Sequence, residues 1–547
     1  MDPELVRLYR DDTPKLNARI ARGYATEQIP GAEKYLDDVF RSAARGFPPG
    51  LEYAGWQRCT PDEEFSQAIR KRNPRRGIKK QSKKMFETSI SNVFLVKYMF
   101  RLHGELLPPC YMYLPYVTQG GGIKISGSSF NISPVLADRV ISIGADDIFV
   151  RFLRDRITFK RHNYSFKLND AAEKTEIIHS PVYKGGDKGR GKKTVNAYTS
   201  MTHYLFCKYG FYETFKKYAG CVPIVGNNLS YNDYPPDQWY ICKSSGIRPR
   251  GFSKIGGSKW WEAPIVNIAI RKDEWNPMVK ALVSGFFYVA DHLPELMTFE
   301  NHASQRQWII LMGHILFSGN VNYGRLVDNV TNHLESLDEY VDHFTRTKML
   351  EIGVDVENFY DFAALILLEF DHWLLSGADK VNSMYDKELS VNYYVLFNII
   401  TEIFGFHFGV KAAARKGLER KAVENLMSKY LRAGFVFRLR SGHGEISSMS
   451  YSGDNMAFKI TSTLIPQSSS TRTGKSKKGD RGGIDDPSKR MHISVAEVGA
   501  YSGMRKSDPS GRSQINLYTL IDHKGLVLRN PELRPILDPV QQLMNAG

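Results

Sequence analysis

Paired cysteines and paired histidines are missing from this sequence. The five cysteines stand singly, at Cys59, Cys110, Cys207, Cys221 and Cys242, and no two of them form a C-x-x-C pair. The histidines show neither an H-E-x-x-H sequence nor another paired spacing. The sequence therefore predicts neither a disulfide framework nor a zinc site, and scattered cysteines are typical of a reducing compartment.

Long hydrophobic runs are also missing. The longest, Ile309 to Phe317 and Phe362 to Leu368, fall far short of the roughly 20 apolar residues that a membrane-spanning helix needs. The first residues, MDPELVRLYRDD, are charged from the start and lack the apolar stretch of a signal peptide. We therefore expect no membrane partner.

The signatures of a self-sufficient catalytic centre are absent as well. The loop YKGGDKGRGKKT (Tyr183 to Thr194) resembles a phosphate-binding loop, but Lys193 stands where that motif needs Ser or Thr after its lysine. The acidic pairs Asp146-Asp147 and Asp485-Asp486 lie beside turn signals, which favours solvated turns over magnesium sites. No G-x-S-x-G sequence occurs. We predict no catalytic residue and no cofactor on this chain.

Positive charge is what the sequence has in excess. The 547 residues include 74 Lys and Arg against 58 Asp and Glu, a formal net charge of +16. A hydrophobic content of 42% is that of a folded protein, and the length predicts several domains. The charge favours a polyanionic partner, although a basic protein without such a partner remains an alternative.

Two stretches concentrate the basic residues. RKRNPRRGIKKQSKK (Arg70 to Lys84) holds nine basic residues and no acid. QSSSTRTGKSKKGDRGG (Gln467 to Gly483) is too polar to form a packed core. For the first stretch, phosphate contact and a merely solvated surface remain equally open.

Hydrophobic periodicity predicts an α+β multidomain protein with small mixed sheets and helical segments. Short helices are predicted in the first 70 residues, and one cationic face is predicted on a strand pair within Ile148 to Leu168. The further predicted helices are Met85 to Phe100, Thr199 to Tyr218, Val266 to Leu296, Gln305 to Phe317, Arg325 to Glu351, Phe359 to Leu375, Asn392 to Phe408 and Lys411 to Arg432. The further predicted strands are Tyr111 to Val117, Ile123 to Ile125 and Phe130 to Ile143.

One segment resembles a known family. LPYVTQGGGIKISGSSFNIS (Leu114 to Ser133) is similar to the "LP-x-hydrophobic-T-x-x-G-x-F-x-I-N-G" segment of the β, or second-largest, subunit of multisubunit DNA-dependent RNA polymerases. The matching positions are Leu114, Pro115, Thr118, Ile125 and Gly127. Ser126 stands where the family has Asn, and the family's acidic residue after the turn is absent.

Three further segments resemble the same family, in the family's order. They are ITSTL (Ile460 to Leu464), KRMHIS (Lys489 to Ser494) and SDPSGRSQINLYTL (Ser507 to Leu520). In the last segment Pro509 and Gly511 keep the family's turn. Weaker similarity covers Phe149 to Arg161 and Asp386 to Phe408. The order of the segments along the chain carries the resemblance.

The resemblance implies the amino-terminal half of a split β subunit, as found in giant-bacteriophage RNA polymerases. It implies a protrusion-like first part (1–150), a lobe-like domain that is largely helical in its second half (151–375), a return to the protrusion (376–452) and a fork-like segment ending at a split site (453–547). Such a subunit lines the DNA channel and the RNA–DNA hybrid near the active site during transcription.

The resemblance also implies nucleic-acid-binding cations in and around the fork-like segment. They are Arg472, Lys475, Lys477, Lys478 and Arg481 in its loop, and Lys489, Arg490, Arg505, Lys506 and Arg512 on its flanks. Gly and Ser neighbours allow close approach to a backbone, and a lysine contributes a point charge without reading bases.

Catalysis is then expected of the assembled enzyme, a nucleotidyltransferase. Its Mg²⁺ is expected on a partner subunit that carries the catalytic aspartates. The expected partners are the carboxy-terminal half of the β subunit, β′-like subunits, template DNA and nascent RNA. The expected location is the cytoplasm or a phage-associated compartment of an infected bacterium, with the virion also open. The alternative is a non-enzymatic, basic nucleic-acid-binding or virion structural protein of a phage.

Overall fold

Two compact units make up the chain. Unit 1 comprises Met1–Arg139 together with Asn382–Gly547, and unit 2 comprises Val140–Val381. The structure, a computed structural model, describes residues 31–70, 93–116, 122–125, 128–132, 135–143, 147–153, 156–183, 197–247, 261–316, 322–377, 383–390, 392–431, 446–448, 464–466, 494, 512–514 and 519–532. The protrusion, lobe and fork boundaries drawn above remain predictions.

The first part of unit 1 is a helix packed on a small antiparallel sheet. Strand β2 is central, with β1 on one side and β3 and β4 on the other, while β5 and β6 form a separate hairpin in the first polymerase-like segment. The elements are α1 (Ala32–Ala44), β1 (Leu51–Arg58), α2 (Pro61–Arg70), β2 (Val93–Leu102), β3 (Glu105–Leu106), β4 (Cys110–Pro115), β5 (Gly122–Ile125), β6 (Ser128–Ile132) and β7 (Val135–Asp138).

Strand β2 corrects the helix predicted from Met85 to Phe100. Val93–Leu102 is a strand, and its apolar residues are buried on both sides of the chain. A continuous apolar run of this kind has no period that distinguishes a buried strand from a buried helix, whereas its β-branched and aromatic residues favour the strand. Residues 85–92 lie outside the described part. Strand β1 likewise occupies a region where only short helices were predicted.

Unit 2 is an antiparallel sheet covered by helices. The strand order is β12-β11-β10-β14-β15-β13, with β9 paired to β10 and β8 to β9. Its strands are β8 (Ile141–Ile143), β9 (Asp147–Arg151), β10 (Arg156–Leu168), β11 (Ala171–Tyr183), β12 (Ala197–Ser200), β13 (Ile224–Gly226), β14 (Trp239–Lys243) and β15 (Asn267–Arg271). Its helices are α3 (Met201–Tyr209), α4 (Phe211–Ala219), α5 (Pro277–His292), α6 (Gln305–Leu316), α7 (Tyr323–Asp338), α8 (His343–Leu350) and α9 (Phe359–Gly377).

The long β10–β11 hairpin organises this sheet. It turns at Asn169 and Asp170, whose φ angles of 46° and 63° suit the type I′ turn that joins strands with a right-handed twist. The pairing of β9 with β10 confirms the strand pair predicted within Ile148 to Leu168. Its cations are engaged by acids, since Lys160 lies 3.5 Å from Asp147 and Arg161 lies 3.4 Å from Glu176.

The helices predicted in unit 2 are largely present, with three local differences. The helix predicted from Arg325 to Glu351 is divided into α7 and α8, because the Asp342 side chain caps the start of a new helix. The helix predicted from Thr199 to Tyr218 is divided at Gly210, which has a φ of 83° and separates α3 from α4. The segment predicted as one helix from Val266 to Leu296 begins instead as strand β15. Its β-branched and apolar residues pair with β14 before the Asn276 side chain caps α5 at the Val279 amide.

The core of unit 2 is rich in aromatic rings. Trp308 is fully buried, its ring centroid lies 4.6 Å from that of Phe206, and its indole N–H donates to the His302 carbonyl at 2.8 Å. The fully buried His203 imidazole contacts the Trp308 carbonyl oxygen through Nε2 at 3.0 Å. Helices α3, α5, α6 and α9 meet in this core.

The chain then returns to unit 1. Phe406 lies 5.5 Å from Phe100, ring centroid to centroid, so the returning chain shares the core formed by the first part. The returning elements are a 3₁₀ turn (Met384–Asp386), β16 (Lys387–Ser390), α10 (Asn392–Val395), α11 (Phe397–Ala414), α12 (Arg420–Tyr430), β17 (Ile446–Ser448), β18 (Leu464–Pro466), β19 (Arg512–Gln514), β20 (Leu520–Ile521) and β21 (Val527–Leu528).

Three features of the described residues relate to membrane proteins, metalloproteins and thiol enzymes. No described helix is both long enough and apolar enough to span a membrane. Within the same residues, no three His, Cys, Asp or Glu side chains are grouped to hold a metal ion. The cysteines are free and buried, and burial raises the pKa of Cys59 and Cys221 to about 11. Such thiols are poor nucleophiles.

Candidate nucleic-acid interface

Strands β18 and β19 lie within the fork-like segment, on either side of its basic stretch. They pair antiparallel, with Leu464 opposite Gln514 and Pro466 opposite Arg512. Paired strands lie about 4.8 Å apart. The stretch between them, residues 467–511, therefore begins and ends at neighbouring positions, and it contains nine of the ten predicted nucleic-acid-binding cations.

Strand β18 also contacts β7, which pairs with β16. The 3₁₀ turn before β16 receives a contact from the polymerase-like segment KRMHIS, because the buried Ser494 hydroxyl oxygen accepts a hydrogen bond from the Met384 amide at 2.8 Å. Segments that are far apart in sequence thus meet in unit 1. We call the set β7, β16, β18, β19, β20 and β21 the junction.

A buried ion pair joins two strands of the junction. Lys387 and Asp138 face each other across β16 and β7, their side chains are only 5% and 9% exposed, and the ammonium contacts the carboxylate directly. The neighbouring Arg139 donates from Nη2 to the Tyr385 carbonyl at 3.1 Å. Removing one member of a buried pair is strongly destabilising, so these charges hold the strand register and are not available to a ligand.

The β20–β21 hairpin completes the junction. In its turn the Asp522 carboxylate accepts hydrogen bonds from the amides of Lys524 and Leu526, at 2.9 and 2.7 Å. Gly525 follows with a φ of 90°, and its carbonyl accepts from the Leu389 amide of β16 at 2.7 Å. The residues after the SDPSGRSQINLYTL segment therefore dock on β16, the strand that carries Lys387.

Helix α2 leads into the first basic stretch and is anchored to the sheet. Thr60 and Glu63 form a capping box, with the Thr60 amide donating to the Glu63 carboxylate at 3.0 Å and the Glu63 amide donating to the Thr60 hydroxyl at 3.3 Å. The same carboxylate lies 2.6 Å from the Lys97 ammonium. The hydrogen bond from Lys97 and that from Thr60 lower the pKa of Glu63. The start of the helix that leads to the basic stretch is thus anchored to β2.

The predicted contact cations fall almost wholly outside the described residues. Arg512 alone has a described position, as the first residue of β19, and its side chain is not described. The others, Arg472, Lys475, Lys477, Lys478, Arg481, Lys489, Arg490, Arg505 and Lys506, lie outside the described part of the chain. Their contacts with nucleic acid remain a prediction.

A second basic surface was not singled out by the sequence reasoning. Residues 411–421, KAAARKGLERK, join α11 to α12 and hold five cations and one acid. We call them the basic turn. Lys416 and Lys421 are exposed, and Gly417 turns the chain with a φ of 96°. The signal available in the sequence was the density of basic residues beside a glycine between two helices.

One comparison identifies the family. The model of a family described as "Non-virion RNA polymerase subunit" matches residues 11–509, which cover both units and most of the fork-like segment. No curated protein matches the chain. The matched residues include strands β7, β16 and β18 of the junction, whereas β19, β20 and β21 lie beyond residue 509. The chain therefore belongs to the family of non-virion RNA polymerase subunits.

Proposed function

We propose that this chain is the amino-terminal half of a split β-like subunit, and that it lines the DNA channel and the RNA–DNA hybrid of a DNA-directed RNA polymerase. Membership in a family of RNA polymerase subunits supports the general role. The observation that carries the finer proposal is the β18–β19 pair, since it brings the residues on either side of the basic 467–511 stretch together in the same unit as the first polymerase-like segment.

The same family bears on the alternative of a virion structural protein. Its description is of a polymerase subunit outside the virion, which gives the virion alternative no support. We infer a place of action in the infected cell, within a multisubunit complex whose other chains include the carboxy-terminal half of the β subunit and a β′-like subunit.

In this proposal the chain contributes positioning and charge, not metal chemistry. Two-metal phosphoryl transfer needs clustered carboxylates, and in this proposal Mg²⁺ is bound by the partner that carries the catalytic aspartates. The loop cations would lie along the sugar–phosphate backbone, where a lysine attracts phosphate independently of base sequence.

A native pull-down of the full chain tests the subunit assignment. We expect fixed stoichiometry with larger polymerase chains, identified by mass spectrometry, and RNA synthesis by the recovered complex on a DNA template. A pull-down that contains no other polymerase chain, or a chain that self-assembles into a shell, would contradict the proposal.

Charge neutralisation tests the loop. Replacing Arg472, Lys475, Lys477, Lys478 and Arg481 by Gln should leave assembly intact and make elongation complexes dissociate at lower salt, because each lost phosphate contact lowers the salt slope by about one. The matched control replaces five exposed cations elsewhere by Gln, namely Lys34, Lys124, Lys216, Arg306 and Arg325. Equal salt sensitivity of the two variants would argue against loop contacts.

A further inference from the structure

We propose that the basic turn between α11 and α12 is a second binding site for the phosphodiester backbone of DNA. The turn is a dense positive patch, since residues 411–421 hold Lys411, Arg415, Lys416, Arg420 and Lys421 against the single acid Glu419. The local formal charge is therefore +4, five cations minus one acid, within eleven residues. Charge of this density attracts a polyanion and releases its condensed counterions.

The two helices that carry the turn are packed tightly against each other. A Cβ at Gly405 would lie 2.9 Å from the Tyr430 ring, and a Cβ at Gly409 would lie 2.9 Å from Leu426 Cδ2. Only glycine at these positions lets α12 approach α11 so closely. The turn is consequently the end of a rigid helical hairpin and not a loose connection.

The hairpin is also fixed to the sheet of unit 1. Arg420 donates from Nη1 to the Glu105 carboxylate at 2.7 Å and from Nε to Glu424 at 3.1 Å. At the far end of α12 the Cys110 thiol donates to the Leu431 carbonyl at 3.0 Å. These contacts give the turn a defined direction relative to β3 and β4. A pre-oriented set of charges loses little entropy when it binds.

Lys416 and Lys421 are the cations best placed to reach a ligand. Both side chains are exposed, and neither forms an ion pair with another described residue. Arg420, by contrast, is engaged by Glu105 and Glu424 and serves to hold the turn. The two lysines are therefore the residues whose charge a phosphate can neutralise without breaking an existing contact.

The composition of the turn favours nucleic acid over a protein partner. Protein interfaces are depleted of lysine and centre on apolar or aromatic residues. The turn has Leu418 as its only large apolar residue, and that side chain is partly buried. Residues 411–421 also contain no Asn, Gln or aromatic residue. We therefore expect the turn to contact the sugar–phosphate backbone of the nucleic acid and not the edges of its bases.

This inference rests on the proposed function, because it is the polymerase role that brings DNA to unit 1. The site is nevertheless separate in sequence from the predicted loop cations and consists of described residues. The failure of the chain to associate with polymerase subunits would contradict the subunit role. DNA binding through the turn is measured on the full chain in whatever complex it purifies with, so the two failures are distinguishable.

The first test is the salt dependence of binding to a fluorescent duplex DNA of random sequence. In K416E/K421E we expect the slope of log affinity against log salt to decrease by about 2, one for each lost phosphate contact. The matched control is K34E/K216E, which changes the net charge by the same four units at two other exposed lysines. Control and wild-type slopes should agree, because the proposal assigns no phosphate contact to these two lysines.

Equal slopes for K416E/K421E and K34E/K216E would overturn the proposal. Substituting unrelated duplex sequences should leave the wild-type affinity unchanged within about twofold, and strong sequence preference would also contradict backbone contact. Single-stranded DNA and RNA of equal length distinguish the possible sources of the phosphodiester, with duplex DNA expected to show the largest effect of the substitution.

A photo-crosslinking amino acid at position 416 gives an independent readout. We expect it to label DNA in the assembled complex, whereas the same group at position 34 should not. Crosslinks from position 416 that go only to another protein chain would overturn the proposal and would identify the turn as a subunit interface instead.

Discussion

Unit 2 and the junction of unit 1 are stabilised in different ways. Unit 2 is one continuous stretch of chain whose thirteen-residue strands β10 and β11 and buried aromatic rings form a large apolar core. The junction is built from strands of two to four residues that come from distant parts of the chain. Its partners are as far apart as Asp138 and Lys387, which are separated by 249 positions.

The two regions therefore place different requirements on their amino-acid sequences. Apolar burial is nondirectional and tolerates changes that keep volume. Short strands bury little area, so the junction depends on a few directional contacts at Lys387, Ser494 and Gly525. Loss of a charged partner in the junction should therefore matter about as much as loss of a large ring in unit 2, and loss of a neutral partner should matter less.

The largest effect is expected from Trp308→Ala in unit 2. It removes a fully buried indole that packs on Phe206 and donates to the His302 carbonyl. We expect the free energy of unfolding of unit 2 to fall by about 3–5 kcal/mol, measured by urea denaturation with hydrogen exchange of α6. The control Leu375→Ala truncates a side chain that is 81% exposed and should change stability by less than about 0.5 kcal/mol. Comparable losses in the two variants would contradict a core at Trp308.

Lys387→Met should destabilise the junction by a similar amount. It removes the ammonium that contacts the buried Asp138 carboxylate, and breaking such a pair typically costs about 3–5 kcal/mol. The measurement is limited proteolysis, which should cleave the variant faster than the wild type near β7 and β16. The double variant Asp138→Leu/Lys387→Met should regain most of the loss, because two apolar side chains need no charge partner. A double variant as labile as the single one would show that the pair does not set the register.

Acid should lower the free energy of unfolding of unit 2, because the buried His203 imidazole resists protonation in the folded state. Burial lowers the pKa of His203 to about 4 from an ordinary value of 6.5. The unfolded state then binds more protons between those values, so stability is complete above pH 6.5 and falls by up to about 3 kcal/mol as pH drops to 4. Asp291 has the opposite effect on stability. Burial raises its pKa to about 6, so protonation in acid removes the cost of burying its charged carboxylate.

The measurement compares urea midpoints at pH 7.5 and pH 4.5. His203→Gln, which keeps a donor and does not titrate, should show a smaller decrease in midpoint than the wild type over this interval. The variant should also be less stable at pH 7.5, because the contacts of the imidazole with Thr199 and the Trp308 carbonyl are altered. An unchanged pH dependence would exclude His203 as a source of acid sensitivity.

The smallest effect is expected from Ser494→Ala. It deprives the buried Met384 amide of its acceptor, which costs about 1–3 kcal/mol locally. Hydrogen exchange in residues 383–390 should become about tenfold faster or more. The control Ser376→Ala removes an exposed hydroxyl on α9 and should leave exchange there nearly unchanged. If residues 383–390 exchange at the wild-type rate in Ser494→Ala, this contact does not hold the junction together.

Local patterns predicted local structure well. Helices α6 and α9 follow the spacing of their own apolar residues, and the β9–β10 pair follows the alternation in Ile148 to Leu168. The helix predicted from Lys411 to Arg432 was wrong in its first half, because its first four residues end α11 and α12 begins at Arg420. Strand β2 was misjudged because its burial on both faces erases the alternating pattern. The basic turn was overlooked because its significance depends on Gly405 and Gly409, whose role is visible only when α12 packs against them.

The sequence by itself determined the excess of positive charge, most helices, and the order of segments that resemble a polymerase β subunit. Those properties depend on composition, local period and chain order. Only the tertiary structure decided that Asp138 faces Lys387, that Ser494 caps the turn at Met384, and that β18 and β19 pair. Each of these contacts joins residues far apart along the chain, and such pairing depends on how the whole unit packs.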